Sequence, residues 1–85
     1  VTYTVEIKPS AAKQIKKLPK NVQEQVALTI NNLAIEPRPD GVKKLSNSDS
    51  YRVRTGNYRI IYQIQDDVLL VTVVRVGHRR YVYKN

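Results

Sequence analysis

Arg52 and Arg54 stand two residues apart in a stretch, Tyr51 to Thr55, whose Tyr51 and Val53 suit a core. If the stretch is a strand, alternation sends both guanidiniums to the face opposite Tyr51 and Val53, about 7 Å apart. Two cations so placed repel each other, and a phosphate seated between them turns that repulsion into charge-assisted binding. Arg59 follows a Gly56-Asn57 turn, in a run where Tyr58, Ile60, Tyr62 and Ile64 take the core face and leave Arg59 on the arginine side. Arg79 and Arg80 come just past Gly77, where the backbone is free to bend toward the same surface. The expected product is a basic, concave floor for a polyanion.

The alternative reading of these arginines is a solvated face of a basic protein. Acids in the second half are confined to Asp49 and the Asp66-Asp67 pair, so the floor lacks carboxylates with which to form ordinary surface pairs. Tyrosine supplies all six aromatics. Tyr3, Tyr51, Tyr58 and Tyr62 read as core residues whose hydroxyls reach the rim. Tyr81 and Tyr83, set among Arg79, Arg80 and Lys84, have two readings: structural, or stacking on an unpaired base. His78 is either a hydrogen-bonded surface residue or a proton carrier. The stripe Lys13, Lys16, Lys17 and Lys20 is either a solvated helix face or a second, sequence-blind phosphate contact suited to structured RNA.

The elements that must position these residues follow from periodicity. Tyr3, Val5 and Ile7 alternate with polar residues, the signature of a strand with one buried face. Pro9 and Ser10 open a short helix with Ala11, Ala12, Ile15 and Leu18 inward and the lysine stripe outward. Leu18-Pro19 breaks it, and Asn21 is placed to cap a second helix whose Val22, Val26, Ile30 and Leu33 share a face. Pro37 and Pro39 hold residues 36–41 in a loop. A hairpin around Gly56-Asn57 and a strand from Val68 to Val76, ended by Gly77, complete the chain before a short last strand or extension. The order predicts one α+β domain over residues 1–85: an N-terminal strand, a helix hairpin, then three to four mainly antiparallel strands, with the helices on one face of the sheet.

The chain has 85 residues, no cysteine, and 15 Lys+Arg against 7 Asp+Glu, for a net charge of +8. Without thiols or a His/Asp/Glu cluster, no metal and no cofactor is expected, and chemistry falls to ordinary side chains. No apolar run approaches the roughly 20 residues that cross a bilayer, and the N-terminus lacks a signal-peptide pattern, so a soluble, cytoplasmic protein without a membrane partner is expected. The charge favours RNA, DNA, acidic lipid or an acidic protein.

Lys43-Lys44-Leu45, Tyr51-Arg52-Val53-Arg54, Tyr58-Arg59-Ile60-Ile61-Tyr62 and Val76-Gly77-His78-Arg79-Arg80 with Val82-Tyr83 together resemble the RelE branch of the RelE/ParE toxin superfamily, over nearly the whole chain. The resemblance implies a toxin that cleaves mRNA in the ribosomal A site, held by a RelB-type antitoxin. It places Arg52 and Arg54 beside the scissile phosphate, Arg59 and Arg79 on the phosphate and its transition-state charge, and Tyr83 on the substrate base. Lys43, Lys44, Arg80, Tyr81 and the α-helical lysines would then contact RNA or ribosome, with His78 a candidate base. Where this chain has Arg52 and Arg54 the family can carry lysines, and a guanidinium does not give up its proton. Two other classes share the composition: a ParE-like toxin that inhibits DNA gyrase by binding, and a basic RNA-binding domain that leaves RNA intact.

Overall fold

A computed structural model describes residues 2–45 and 49–78. The elements are β1 (Thr4–Ile7), α1 (Pro9–Lys16), α2 (Lys20–Ile35), β2 (Lys43–Lys44), β3 (Ser50–Thr55), β4 (Tyr58–Gln65) and β5 (Leu70–His78). They form one five-stranded sheet in the order β1-β5-β4-β3-β2. β1 runs parallel to β5 and every other pair is antiparallel. The expected α+β architecture, with both helices on one face, is what the chain adopts. Ala11 of α1 and Val26, Ile30 and Leu33 of α2 share a core with Val53, Ile60, Tyr62, Ile64, Val71, Val73 and Val76.

Pro9 occupies the first turn of α1, where its missing N–H costs nothing. The joint between the helices departs from expectation. Pro19, not Asn21, is the N-cap of α2: its extended ψ of 149° lets Lys20 and Asn21 start the helix at once, and its carbonyl accepts from the Gln23 N–H at 2.9 Å. The Gln23 side chain then donates back to the Leu18 carbonyl at 2.9 Å, satisfying an orphan acceptor at the end of α1.

In the β3–β4 hairpin, Gly56 takes φ +60° while Asn57 stays at negative φ, the pattern of a turn with glycine at its first central position. β5 begins two residues later than its apolar run suggested. Val68 and Leu69 belong to the turn after Asp66, which the Leu69 N–H closes onto the Asp66 carbonyl with Leu69 at φ +52°. Nor does Gly77 end the strand: it pairs with Arg59, and β5 continues through His78.

The register of β4 with β5 shifts at Ile61/Tyr62. Ile61 lies opposite Arg75 but Tyr62 lies opposite Val73, so Val74 is an extra residue on β5. Before the bulge Val71 and Val73 face the core, and after it Val76 does, three residues on rather than two. Past the end of β1, no strand among the described residues covers the outer edge of β5. The Gln14 side-chain oxygen closes it by accepting the Val76 N–H at 2.8 Å.

Candidate functional site

The register of three strands assembles the arginines. Arg54 of β3 lies directly opposite Arg59 of β4, which lies opposite Gly77 of β5. Because Val53 and Ile60 point into the core, this row faces away from the helices. One pitch along, Lys43 of β2, Arg52 of β3, Ile61 of β4 and Arg75 of β5 form a second row across four strands. Arg54 is exposed, Arg52, Arg59 and Arg75 are half-buried, and the Nε of Arg59 is turned in from solvent.

The expected convergence of Arg52, Arg54 and Arg59 is present, and Lys43 joins it. Lys44 does not: it pairs with Tyr51 and so belongs to the opposite side of β2. Arg79, Arg80, Tyr81 and Tyr83 lie outside the described residues. Lys13 and Lys16 on α1, with Lys17 and Lys20 at the helix joint, are all exposed, but they sit on the helical layer, across the sheet from the arginines. They form a separate surface.

His78 is not carried to the arginine row. It pairs with Tyr58, and the two rings meet edge to face with centroids 5.5 Å apart, in the row that continues Ile60 and Tyr62 toward the helices. The bulge is the cause. Unbroken alternation from Val71 would bury Arg75 and put His78 among the arginines, and the extra residue at Val74 exchanges the two. Arg75 is the site residue that sequence reasoning missed; a lone cation in an otherwise apolar strand was its signal.

A groove of about 360 Å³ runs along the outer end of the floor, lined by Asp40, Gly41, Lys43, Arg52, Val53 and Arg54. Its wall is the proline loop. The Val42 N–H bonds the Pro39 carbonyl at 3.1 Å around Gly41 at φ +84°, the positive φ that a type II turn demands of its third residue. Asp40 is the one carboxylate lining the groove among the described residues.

The loop is pinned from the side away from the groove. Arg38 grips Asp66 through both nitrogens, at 3.1 and 2.9 Å, and stands 5.2 Å from the centroid of the Tyr51 ring. Tyr51 stacks on Tyr62, whose buried hydroxyl donates to the Pro37 carbonyl at 2.7 Å. Tyr3 donates to the same Asp66 at 2.6 Å. Those donors, Arg38 first and Tyr3 second, pull the Asp66 carboxyl down to about 2, while burial pushes the Tyr62 hydroxyl up. Asp66 is thus spent on holding the loop, away from the arginines. Among the described residues no group of His, Asp and Glu is arranged to hold a metal, and no helix is long and apolar enough to cross a membrane.

Known proteins share both sequence and fold. The family model of the ParE toxin of type II toxin–antitoxin systems matches residues 5–83. The mRNA interferase toxin RelE of Escherichia coli K12 is 30% identical over 81 residues, covering 93% of this chain and 85% of its own. Toxin RelG of Mycobacterium tuberculosis is 32% identical over 85 residues, covering 96% and 97%. Among solved structures, the archaeal RelE–RelB complex of Pyrococcus horikoshii superposes with a TM-score of 0.85 at 29% identity, over 95% of this chain and 99% of that one. A family model spanning nearly the whole chain, curated RelE relatives and the matching fold agree: the chain belongs to the RelE/ParE superfamily of type II toxin–antitoxin toxins, as a RelE-type member.

Proposed function

We propose that this toxin is an endoribonuclease that cuts mRNA in the ribosomal A site and so stops translation in the cytoplasm. The observation that carries the reading is the direct pairing of Arg54 with Arg59 on the helix-free face, with Arg52 one pitch away. Like charges directly opposite one another are unfavourable in a sheet, and an anion seated between them turns that repulsion into charge-assisted binding. The relatives named mRNA interferases give that anion its class.

In the reaction, the 2′-hydroxyl oxygen attacks the adjacent phosphorus, the bond to the 5′-oxygen breaks, and a cyclic phosphate and a 5′-hydroxyl remain. A base must take the 2′-hydroxyl proton and an acid must supply one to the leaving oxygen. The guanidiniums serve neither role, because they stay protonated. They stabilise the charge that grows on the phosphate oxygens, with Arg52 and Arg54 flanking it and Arg59 and Arg79 bonding it. His78, turned against Tyr58, is poorly placed as base. Tyr83 and alignment of the mRNA by the ribosome are the remaining sources, and positioning alone is worth several kcal/mol of barrier. The exposed lysines of α1 and the helix joint supply a sequence-blind hold on ribosomal RNA.

A RelB-type antitoxin is the expected protein partner, since the solved complexes that this chain resembles are RelE with RelB. The test is cleavage of mRNA on programmed ribosomes by Arg59→Ala and Arg79→Ala. Each is expected to lose roughly one to three orders of magnitude in rate. Unchanged rates in both would overturn the site. The family model's ParE name favours a second reading, inhibition of gyrase, which a supercoiling assay on the same preparations decides.

A further inference from the structure

We infer that Lys43 and Arg75 form a second phosphate subsite, which holds the phosphodiester next to the scissile one bound by Arg54 and Arg59, with Arg52 set between the two and shared by both. The inference rests on the RNA reading above and adds to it a binding role for Arg75.

The two cation rows are two residues apart along the strands, about 6.6 Å. That pitch is comparable to the separation of consecutive phosphates along an extended single strand of RNA. A strand laid along β3 and β4 therefore sets one phosphate over Arg54 and Arg59 and its neighbour over the row Lys43, Arg52, Ile61 and Arg75. Across that second row Arg52 and Arg75 flank Ile61, each one strand spacing away, about 4.8 Å. Ile61 is 8% exposed and gives an apolar floor along which two arginine stems can lie with their heads raised on either side. Asp40 is the carboxylate that lines the groove beside Lys43 and Arg52.

The bulge makes the assignment specific. It is the feature that brings Arg75 to this face instead of the core, and re-aiming a side chain is a recurrent use of bulges beside functional sites. A residue serving only as strand filler at this position would need no such device, because valine fits either face.

The test is single-turnover cleavage of mRNA on programmed ribosomes, with toxin concentration varied. Arg75→Gln is expected to raise the half-saturating toxin concentration about tenfold, the loss of one charge-assisted contact, and to leave the maximal rate within about threefold. Arg75→Lys, which keeps the charge, should recover most of the affinity and guards against a merely misfolded variant. A second arm replaces the phosphate flanking the cut, on each side in turn, with a neutral methylphosphonate. At the position over Arg75 the modified mRNA should bind Arg75→Gln and the unsubstituted toxin alike. Equal half-saturation for Arg75→Gln and the unsubstituted toxin on unmodified mRNA would overturn the subsite and leave the RNA reading standing. So would a loss confined to maximal rate, or an undiminished Arg75→Gln effect on both methylphosphonate mRNAs. If the unsubstituted toxin cleaves no ribosome-bound mRNA, the RNA reading falls and the subsite with it.

Discussion

Replacing Arg54 with glutamine should make the free protein more stable and its proposed cleavage of mRNA slower. Arg54 and Arg59 are in direct register on adjacent strands, and Arg54 is exposed. Two unit charges about 7 Å apart in water repel by about 0.6 kcal/mol, and screening over a Debye length of about 8 Å at physiological salt roughly halves that. Arg54→Gln therefore should stabilise the free toxin by about 0.3 to 0.6 kcal/mol, or roughly 1 to 5 °C in melting temperature for a domain of this size. The gain should shrink toward zero at about 1 M salt, where the Debye length is about 3 Å. Cleavage on the ribosome should fall by at least about tenfold in the same variant. Thermal melts at low and high salt beside a cleavage time course provide the check. A lower melting temperature at low salt, or an equal rise at both salts, would refute the repulsion; a stabilised variant that cleaves normally would refute its purpose.

Other expectations follow from the loop and its anchor. Tyr62→Phe removes a buried hydroxyl from the Pro37 carbonyl and should cost about 1 kcal/mol, read as a lower urea midpoint with an unchanged m-value. Asp66 has its folded pKa held down to about 2, below the unfolded value near 4. Its contribution to stability is therefore complete above about pH 4 and is lost as pH falls toward 2, and Asp66→Asn should flatten that part of the stability profile. Asp40→Asn removes the carboxylate lining the groove and should tighten binding to programmed ribosomes a few-fold, most at low salt. Gln14→Ala leaves the Val76 N–H without its acceptor and should cost about 1 kcal/mol, with faster hydrogen exchange at that amide.

Strand alternation was enough to gather Arg52, Arg54 and Arg59, because their neighbours Tyr51, Val53, Tyr58 and Ile60 mark the buried face without ambiguity. Helix faces were equally legible from Val26, Ile30 and Leu33. The bulge was not. Val73, Val74, Arg75 and Val76 carry no compositional sign of an inserted residue, since a valine is at home on either face of a strand. Missing it hid Arg75. Long-range pairings were hidden too: Arg38 with Asp66, Gln14 with Val76, and the parallel contact of β1 with β5 join residues that nothing local connects. The polar anchors are legible only once the sheet order is known.

The most direct measurement is the position and chemistry of the cut. Purified toxin is incubated with ribosomes stalled at a known codon, and the mRNA ends are mapped against the reading frame and tested for a cyclic phosphate. The account predicts cuts within the A-site codon, leaving a cyclic phosphate upstream and a 5′-hydroxyl downstream. Intact mRNA in the presence of a preparation that inhibits gyrase would contradict it.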